Sequence, residues 1–354
     1  MKKRVFVGLS GGVDSAVSAA LLKRGGYDVV GAFIKIWQPE FTECTWREDR
    51  LDAMRVAAAL DIPFREIDLS DEYKKEVVCE ILHAYERGFT PNPDVLCNSR
   101  IKFGFFAGWA FTEGADAIAT GHYARVEERS GDYSLMRGLD RSKDQSYFLW
   151  QLTQAELSRV LFPVGALQKR HVRVLAREYG LPNAAKSDSQ GLCFVGDISM
   201  RDFLQRYITV ERGEVLNEEG RTIGSHAGAA LYTIGQRHGF SVEGVDVSQK
   251  PHYVIATDTQ CNTIVVSPLR LRAARLSVEL HDTSWVSHMP TQPFSADVVT
   301  RYREQHCSAV IEPGEPSALV RVTFRAPHVC ALGQSLVIYD GDRLLGGGIM
   351  GSRA

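Results

Sequence analysis

A chain of 354 residues, 44% hydrophobic and 24% charged, is long enough for two or three globular domains and too ordinary in composition to be disordered or fibrous. Its 41 basic and 43 acidic residues leave a net charge of −2, with no part of the chain markedly basic, so bulk charge gives no support to nucleic-acid binding and any such contact must come from local clusters. No apolar run is long enough to span a bilayer, and the chain enters its first strand without a signal-peptide pattern, so a cytoplasmic protein with no membrane partner is expected. Seven cysteines, an odd number with no Cys-x2-Cys spacing, make neither a disulfide framework nor a zinc ribbon, and no resident metal site is expected.

In chain order, Lys3–Val7 reads as a buried strand, followed by Gly8-Leu9-Ser10-Gly11-Gly12-Val13-Asp14-Ser15. Val13, Ala16, Val17, Ala20 and Leu21 then place one apolar stripe on a helix. Strand, glycine turn and helix start together make an anion site: the glycines admit close approach, and the helix presents free N–H groups and its positive end. The Lys of the common Gly-x4-Gly-Lys-Ser/Thr phosphate loop is absent. Ser-Gly-Gly-Val-Asp-Ser instead resembles the signature of the ATP pyrophosphatases, which implies a loop that holds pyrophosphate while a substrate is adenylated.

Further strands are expected at Asp28–Ile34 and Phe64–Leu69, a helix at Arg47–Leu60, and another carrying Tyr73, Val77, Ile81 and Tyr85. This alternation predicts an α/β, Rossmann-like parallel sheet covered on both faces, with the ligand beyond the strands' carboxyl ends. In Phe89-Thr90-Pro91-Asn92-Pro93-Asp94-Val95-Leu96-Cys97-Asn98, two prolines argue against helix or sheet, and Asn98 is a candidate cap for a helix bearing Ile101, Phe105 and Trp109. Cys97 would then lie at a helix start, where the dipole lowers a thiol pKa; a buried packing cysteine is the alternative. Asp94 is a candidate proton shuttle. A strand over Asp116–Thr120 leads to Gly121-His122-Tyr123, with Gly121 letting a nucleotide approach, and Ser130-Gly131 marks a hairpin turn. Asp140–Tyr147 reads as a solvated loop. Lys169–Arg177 reads as a basic amphipathic helix, either solvated or facing RNA. Asp188–Phe194, with Cys193, reads as a loop.

From Arg201 the βαβ rhythm stops, and from about Arg275 alternating short strands with turns such as Asp340-Gly341-Asp342 predict a small β-barrel. The expected units are a catalytic domain at 1–200, a small mixed central domain at 201–273 and a C-terminal β-barrel at 274–354.

Taken together, the chain resembles the tRNA 2-thiouridylases over essentially its full length. The resemblance rests on Ser10–Ser15, Thr90–Asn98, Ala119–Tyr123, Lys143–Tyr147, Gly191–Phe194 and Gly346–Ile349 in that order. It implies ATP, brought with Mg²⁺, on Gly8, Leu9, Ser10, Gly11, Gly12, Val13, Asp14, Ser15, Ile34 and Gly121. Family members often carry Met where Ile34 stands, a change of small consequence if that contact is through the backbone. The resemblance further implies a tRNA substrate, met at its anticodon stem-loop with the wobble uridine by Asn92, Pro93, Asp94, His122, Lys143, Asp144, Gln145, Arg301, Tyr302 and Gln334. By the same resemblance Cys193 receives a persulfide from a sulfur-relay protein, Cys97 releases the sulfur by forming a Cys97–Cys193 disulfide, Asp94 is the acid/base, and the enzyme is a monomer. The rivals are an ATP pyrophosphatase that amidates or ligates a small molecule, which needs no paired cysteines, and an RNA-binding or nucleotide-sensing protein that turns over no ATP.

Overall fold

The structure, a computed structural model, describes residues 2–41, 46–188, 198–243, 251–314 and 319–351. Five parallel strands form the first sheet: β1 (Arg4–Gly8), β2 (Asp28–Lys35), β3 (Phe64–Asp68), β4 (Ala117–Ala119) and, further along the chain, β7 (Val160–Leu161), in the order β3-β2-β1-β4-β7. Alternation along β1 explains its two-sided burial. Phe6 points into a core with Val30, Ile101, Phe106 and Ile118, while Val5 and Val7 point into another with Val13, Val17, Val56 and Val172. Strand order reverses between β1 and β4, so their carboxyl ends, Gly8 and Thr120-Gly121, flank the crevice where α/β sheets take ligands.

Helix α1 (Val13–Arg24) follows β1 and α2 (Trp46–Ala59) follows β2. A helical run over 70–86 buries Tyr73, Val77, Ile81 and Tyr85, the four residues whose spacing predicted it.

The Thr90–Asn98 stretch departs from expectation. A helix starts at Pro93, capped by Asn92, whose side-chain oxygen accepts from Asp94 N at 3.1 Å and Val95 N at 3.3 Å. Proline is compatible with a first helical position, where its missing N–H would be unpaired anyway, so Pro93 starts the helix it was expected to exclude. Asn98 is therefore not the cap: it is buried inside the helix, accepting from Lys102 Nζ at 2.9 Å. Cys97 lies a full turn in, at the start of π-helical turns spanning Cys97–Phe106, and not at the positive end.

Strands β5 (Ala124–Arg129) and β6 (Asp132–Arg137) form the expected hairpin, with Ser130 and Gly131 at φ 53° and 88°. A second, mixed sheet is built from β8 (Gly213–Leu216), β9 (Thr222–His226), β10 (Phe240–Val242), β11 (Tyr253–Asp258) and β12 (Thr263–Ser267). The last six strands, β13 (Ala274–Trp285), β14 (Phe294–Val299), β15 (Cys307–Glu312), β16 (Val320–Val329), β17 (Ser335–Asp340) and β18 (Arg343–Met350), close into an antiparallel barrel because β18 pairs with β17 on one side and β13 on the other. Val278, Leu280, Ile311, Val322, Leu336 and Ile338 fill it. Local sequence did not reveal that β6 pairs with β18 (Met136 with Arg343, Leu135 with Leu344), so the hairpin of the first domain extends the barrel sheet. Among the described residues no helix is long and apolar enough to cross a membrane.

Candidate active site

The loop between β1 and α1 is tied by its own serines. Ser10 N donates to Ser15 Oγ at 3.2 Å, and Ser15 Oγ donates to Gly12 O at 3.1 Å. Gly11 has φ 75°, and a Cβ there would lie 2.6 Å from Asp49 O, so only glycine lets the loop turn against α2. Gly121 is constrained differently: its Cβ would lie 2.7 Å from Ser15 N and 2.9 Å from Asp14 C. The end of β4 thus packs directly on the first turn of α1. Gly121 was expected to make room for nucleotide; the close approach in the structure is to the loop's own backbone.

Asp14 faces a cluster that single motifs did not reveal. Tyr123 Oη donates to Asp14 Oδ1 at 2.8 Å, and Lys169 Nζ lies 2.7 Å from both Asp14 oxygens. Burial and the adjacent Asp14 carboxylate push the Tyr123 hydroxyl far above the ordinary tyrosine range, so it remains a donor. Lys169 also lies 2.9 Å from Asp188 Oδ1, and Lys143 Nζ 2.8 Å from Asp188 Oδ2. Burial raises the Asp188 pKa, but bonds and charge from Lys143 and Lys169 outweigh it and hold the carboxylate well below its usual range. Asn183 donates to Gly11 O at 2.9 Å, pinning the loop from the opposite side.

The helical run that begins at Pro93 packs against the carboxyl ends of β1 and β4. Phe106, on the same helical run, comes within 3.8 Å of where a Cβ on Gly8 would lie, and Phe103 packs on His122. Burial raises the Asp94 carboxyl above its usual range, with Lys102 pulling the other way. Cys97 is buried. From the barrel, Gln334 Nε2 donates to Pro91 O at 3.2 Å, and Thr90 N to Leu332 O at 2.9 Å. Tyr147 Oη donates to Ser335 O at 2.9 Å, and Phe148 packs on Tyr302 in a tilted pair with centroids 4.4 Å apart.

Comparison with known proteins covers the whole chain. Residues 3–197 match the family described as tRNA methyl transferase HUP domain, 201–268 the tRNA methyl transferase PRC-barrel domain, and 275–350 the aminomethyltransferase beta-barrel domain. The tRNA-specific 2-thiouridylase MnmA of Nitrosomonas eutropha is 45% identical over 359 residues, covering 99% of this chain and 98% of that protein. The protein of the same name from Ralstonia nicotianae is 44% identical, covering 99% and 96%, and that from Bordetella petrii 45%, covering 98% and 96%. The chain belongs to the tRNA-specific 2-thiouridylase family.

In this 2-thiouridylase the residues expected to face tRNA fall into two groups. Asn92, Pro93, Asp94, Arg301, Tyr302 and Gln334 converge where the helix start meets the barrel, and Arg301 is exposed. The others have partners within the fold, and His122 alone of them is buried. His122 is buried, with Nδ1 2.7 Å from Thr120 Oγ1, and burial keeps its pKa well below the ordinary value. Asp144 accepts from Gly138 N and Ser146 N, Gln145 Oε1 accepts from Tyr123 N at 3.0 Å, and Lys143 is held on Asp188. Ile34 lies on β2 at the loop's edge, its Cδ1 3.9 Å from a Cβ placed on Gly8. Cys193 lies outside the described residues. Sequence reasoning missed Lys169, Tyr123 and Asp188. A signal was present: the Lys169–Glu178 helix opens on Lys-Arg-His with no acidic residue in its first turn, against the helix dipole.

Proposed function

We propose that the protein is a tRNA-uridine 2-sulfurtransferase that adenylates the C2 oxygen of the wobble uridine with Mg²⁺-bound ATP and replaces that oxygen by sulfur, releasing AMP and pyrophosphate. The observation that carries the reading is the 45% identity over an alignment that covers 99% of the chain. The geometry supports it. A serine-tied glycine loop at the sheet's reversal point offers backbone N–H groups to phosphates, and the helix begun by the barrel-braced Asn92–Asp94 turn brings Phe106 close to Gly8 of that loop. An anticodon loop gives up an unstacked base at low cost.

The sulfur chemistry is the one that the family resemblance implies for the two thiols. A persulfide-donating relay protein loads Cys193. The terminal sulfur attacks C2 as AMP leaves with the former O2. The Cys97 thiolate then attacks the inner sulfur of Cys193, leaving sulfur on the uridine and a Cys97–Cys193 disulfide, which a dithiol reduces. Cys97, buried in the apolar core, has to be uncovered for that step. Asp94, its pKa raised by burial, holds or takes up a proton as the oxygen leaves. We place the enzyme in the cytoplasm, acting as a monomer.

Nucleoside mass spectrometry of tRNA incubated with ATP and a persulfide donor tests the reading. The expected result is 2-thiouridine with one AMP and one pyrophosphate each, lost on Cys97→Ser or Cys193→Ser. ATP turnover that survives both substitutions with ammonia or an amine as acceptor would instead assign the ligase reading.

A further inference from the structure

The loop over α1 lacks the lysine with which other phosphate loops meet the charge of ATP. The structure brings cations to it from elsewhere in the chain. Lys169, its side chain 14% exposed, touches both oxygens of Asp14 at 2.7 Å. It starts a helix whose first turn carries Lys169 and Arg170 and no acidic residue, an arrangement that costs helix stability unless anions face it. Asp14 lies in the first turn of α1, beside the N–H groups of the anion site. Asp188 gathers Lys169, Lys143 and Arg173. Three cations therefore share two carboxylates beside the first turn of α1.

We infer that Lys169 is the cation that neutralises the ATP phosphates, and that Asp14 and Asp188 hold its ammonium at the loop until the phosphates take it over. This rests on the ATP-dependent reading and adds the residue that replaces the missing loop lysine. A lysine suits the exchange because its charge is compact and its stem is flexible, so the ammonium moves without moving the helix. During adenylation the bond from uridine O2 to the α-phosphorus forms, and the bond from that phosphorus to the bridging oxygen of the β-phosphate breaks. The electron pair of the broken bond leaves with pyrophosphate, and Lys169 meets that growing charge. Tyr123, donating to the same Asp14, keeps the carboxylate in place when the ammonium leaves it.

Equilibrium binding of pyrophosphate, ATP and tRNA to the full-length protein tests the inference with Lys169→Gln, Lys169→Arg and Asp188→Asn. Losing one charge-assisted contact weakens pyrophosphate binding by about tenfold to a hundredfold in Lys169→Gln. Lys169→Arg recovers most of the loss, and tRNA affinity stays within about twofold, the resolution of such measurements. Asp188→Asn, which removes a competing carboxylate, binds pyrophosphate more tightly, a gain that misfolding does not produce. The inference is overturned if Lys169→Gln binds pyrophosphate as the unsubstituted protein does, if arginine restores nothing, or if tRNA affinity falls in step. Should the unsubstituted protein bind neither ATP nor pyrophosphate, the ATP-dependent reading fails as well. Normal binding by both it and Lys169→Gln removes only the role of Lys169.

Discussion

Gln334, in the barrel, donates its side-chain amide to the carbonyl oxygen of Pro91, 243 positions earlier in the chain and one residue before the cap of the Asp94 helix. The barrel thereby sets where the turn that carries Asn92, Pro93 and Asp94 stands.

Gln334→Ala removes that brace and a polar group from the face assigned to tRNA. A net hydrogen bond of about 1 kcal/mol corresponds to roughly fivefold weaker tRNA binding. ATP affinity should not change, since the loop over α1 touches none of these residues. Filter binding at several salt concentrations checks both points, and the unsubstituted protein should lose tRNA affinity steeply with salt despite its net charge of −2.

Gly121→Ala puts a methyl group 2.7 Å from Ser15 N. That atom and Asp14 C, 2.9 Å away, are both backbone, so the loop must shift. The expected outcome is a KM for ATP raised by at least about tenfold, as misplacing a binding group by an ångström does. Steady-state kinetics at saturating tRNA measure it, with tRNA affinity as the control.

Asp94→Asn should separate stability from activity. Burial raises the Asp94 pKa, so its contribution to stability is fully present below the ordinary carboxylate pKa and is lost as pH rises through the elevated folded value. Asparagine carries no charge to bury, so at pH 7 the variant should melt at a higher temperature than the unsubstituted protein. Its rate of 2-thiouridine formation should fall by about 10²–10⁴-fold. Thermal melts across pH 4–8 and single-turnover assays test the pair, and an unchanged rate would remove Asp94 from the chemistry.

His328 gives the barrel its own pH dependence. Its Nε2 lies 2.8 Å from Thr300 Oγ1 and 3.6 Å from Glu304 Oε1, and the neighbouring Cys307 and Glu304 side chains push its pKa up to about 10. For a histidine with a raised folded-state pKa, the stabilisation is complete below about 6.5 and is lost as pH rises through about 10. The melting temperature should therefore fall from pH 7 to 10, and His328→Gln should melt lower at pH 7 with a shallower decline. Parallel melts of the two proteins decide it.

The sequence made the parallel sheet and the glycine loop legible because both depend on local patterns: apolar runs, a helical stripe and turn residues in order. The barrel showed as alternation and tight turns for the same reason. Pro93 misled because proline breaks a helix interior yet favours its first position, and only the cap geometry of Asn92 distinguishes the two. Lys169 was legible only as part of a basic face, since nothing within ten residues of it points to Asp14, 155 positions away. His122 and Gln145 became tRNA candidates through the resemblance alone, and their partners inside the fold, Thr120 and the Tyr123 backbone, could not be read from the sequence. Long-range pairing leaves no periodic trace.

The strand pair between β6 and β18 has a consequence for how the chain is made. Arg343 leaves the ribosome about 200 residues after Arg137, which at cellular synthesis rates is a wait of about 10–40 s. Throughout that interval the first domain's hairpin lacks its neighbour and presents an open edge to any other nascent chain. Crowded translation should therefore endanger this protein through its second hairpin strand before the barrel exists to cover it.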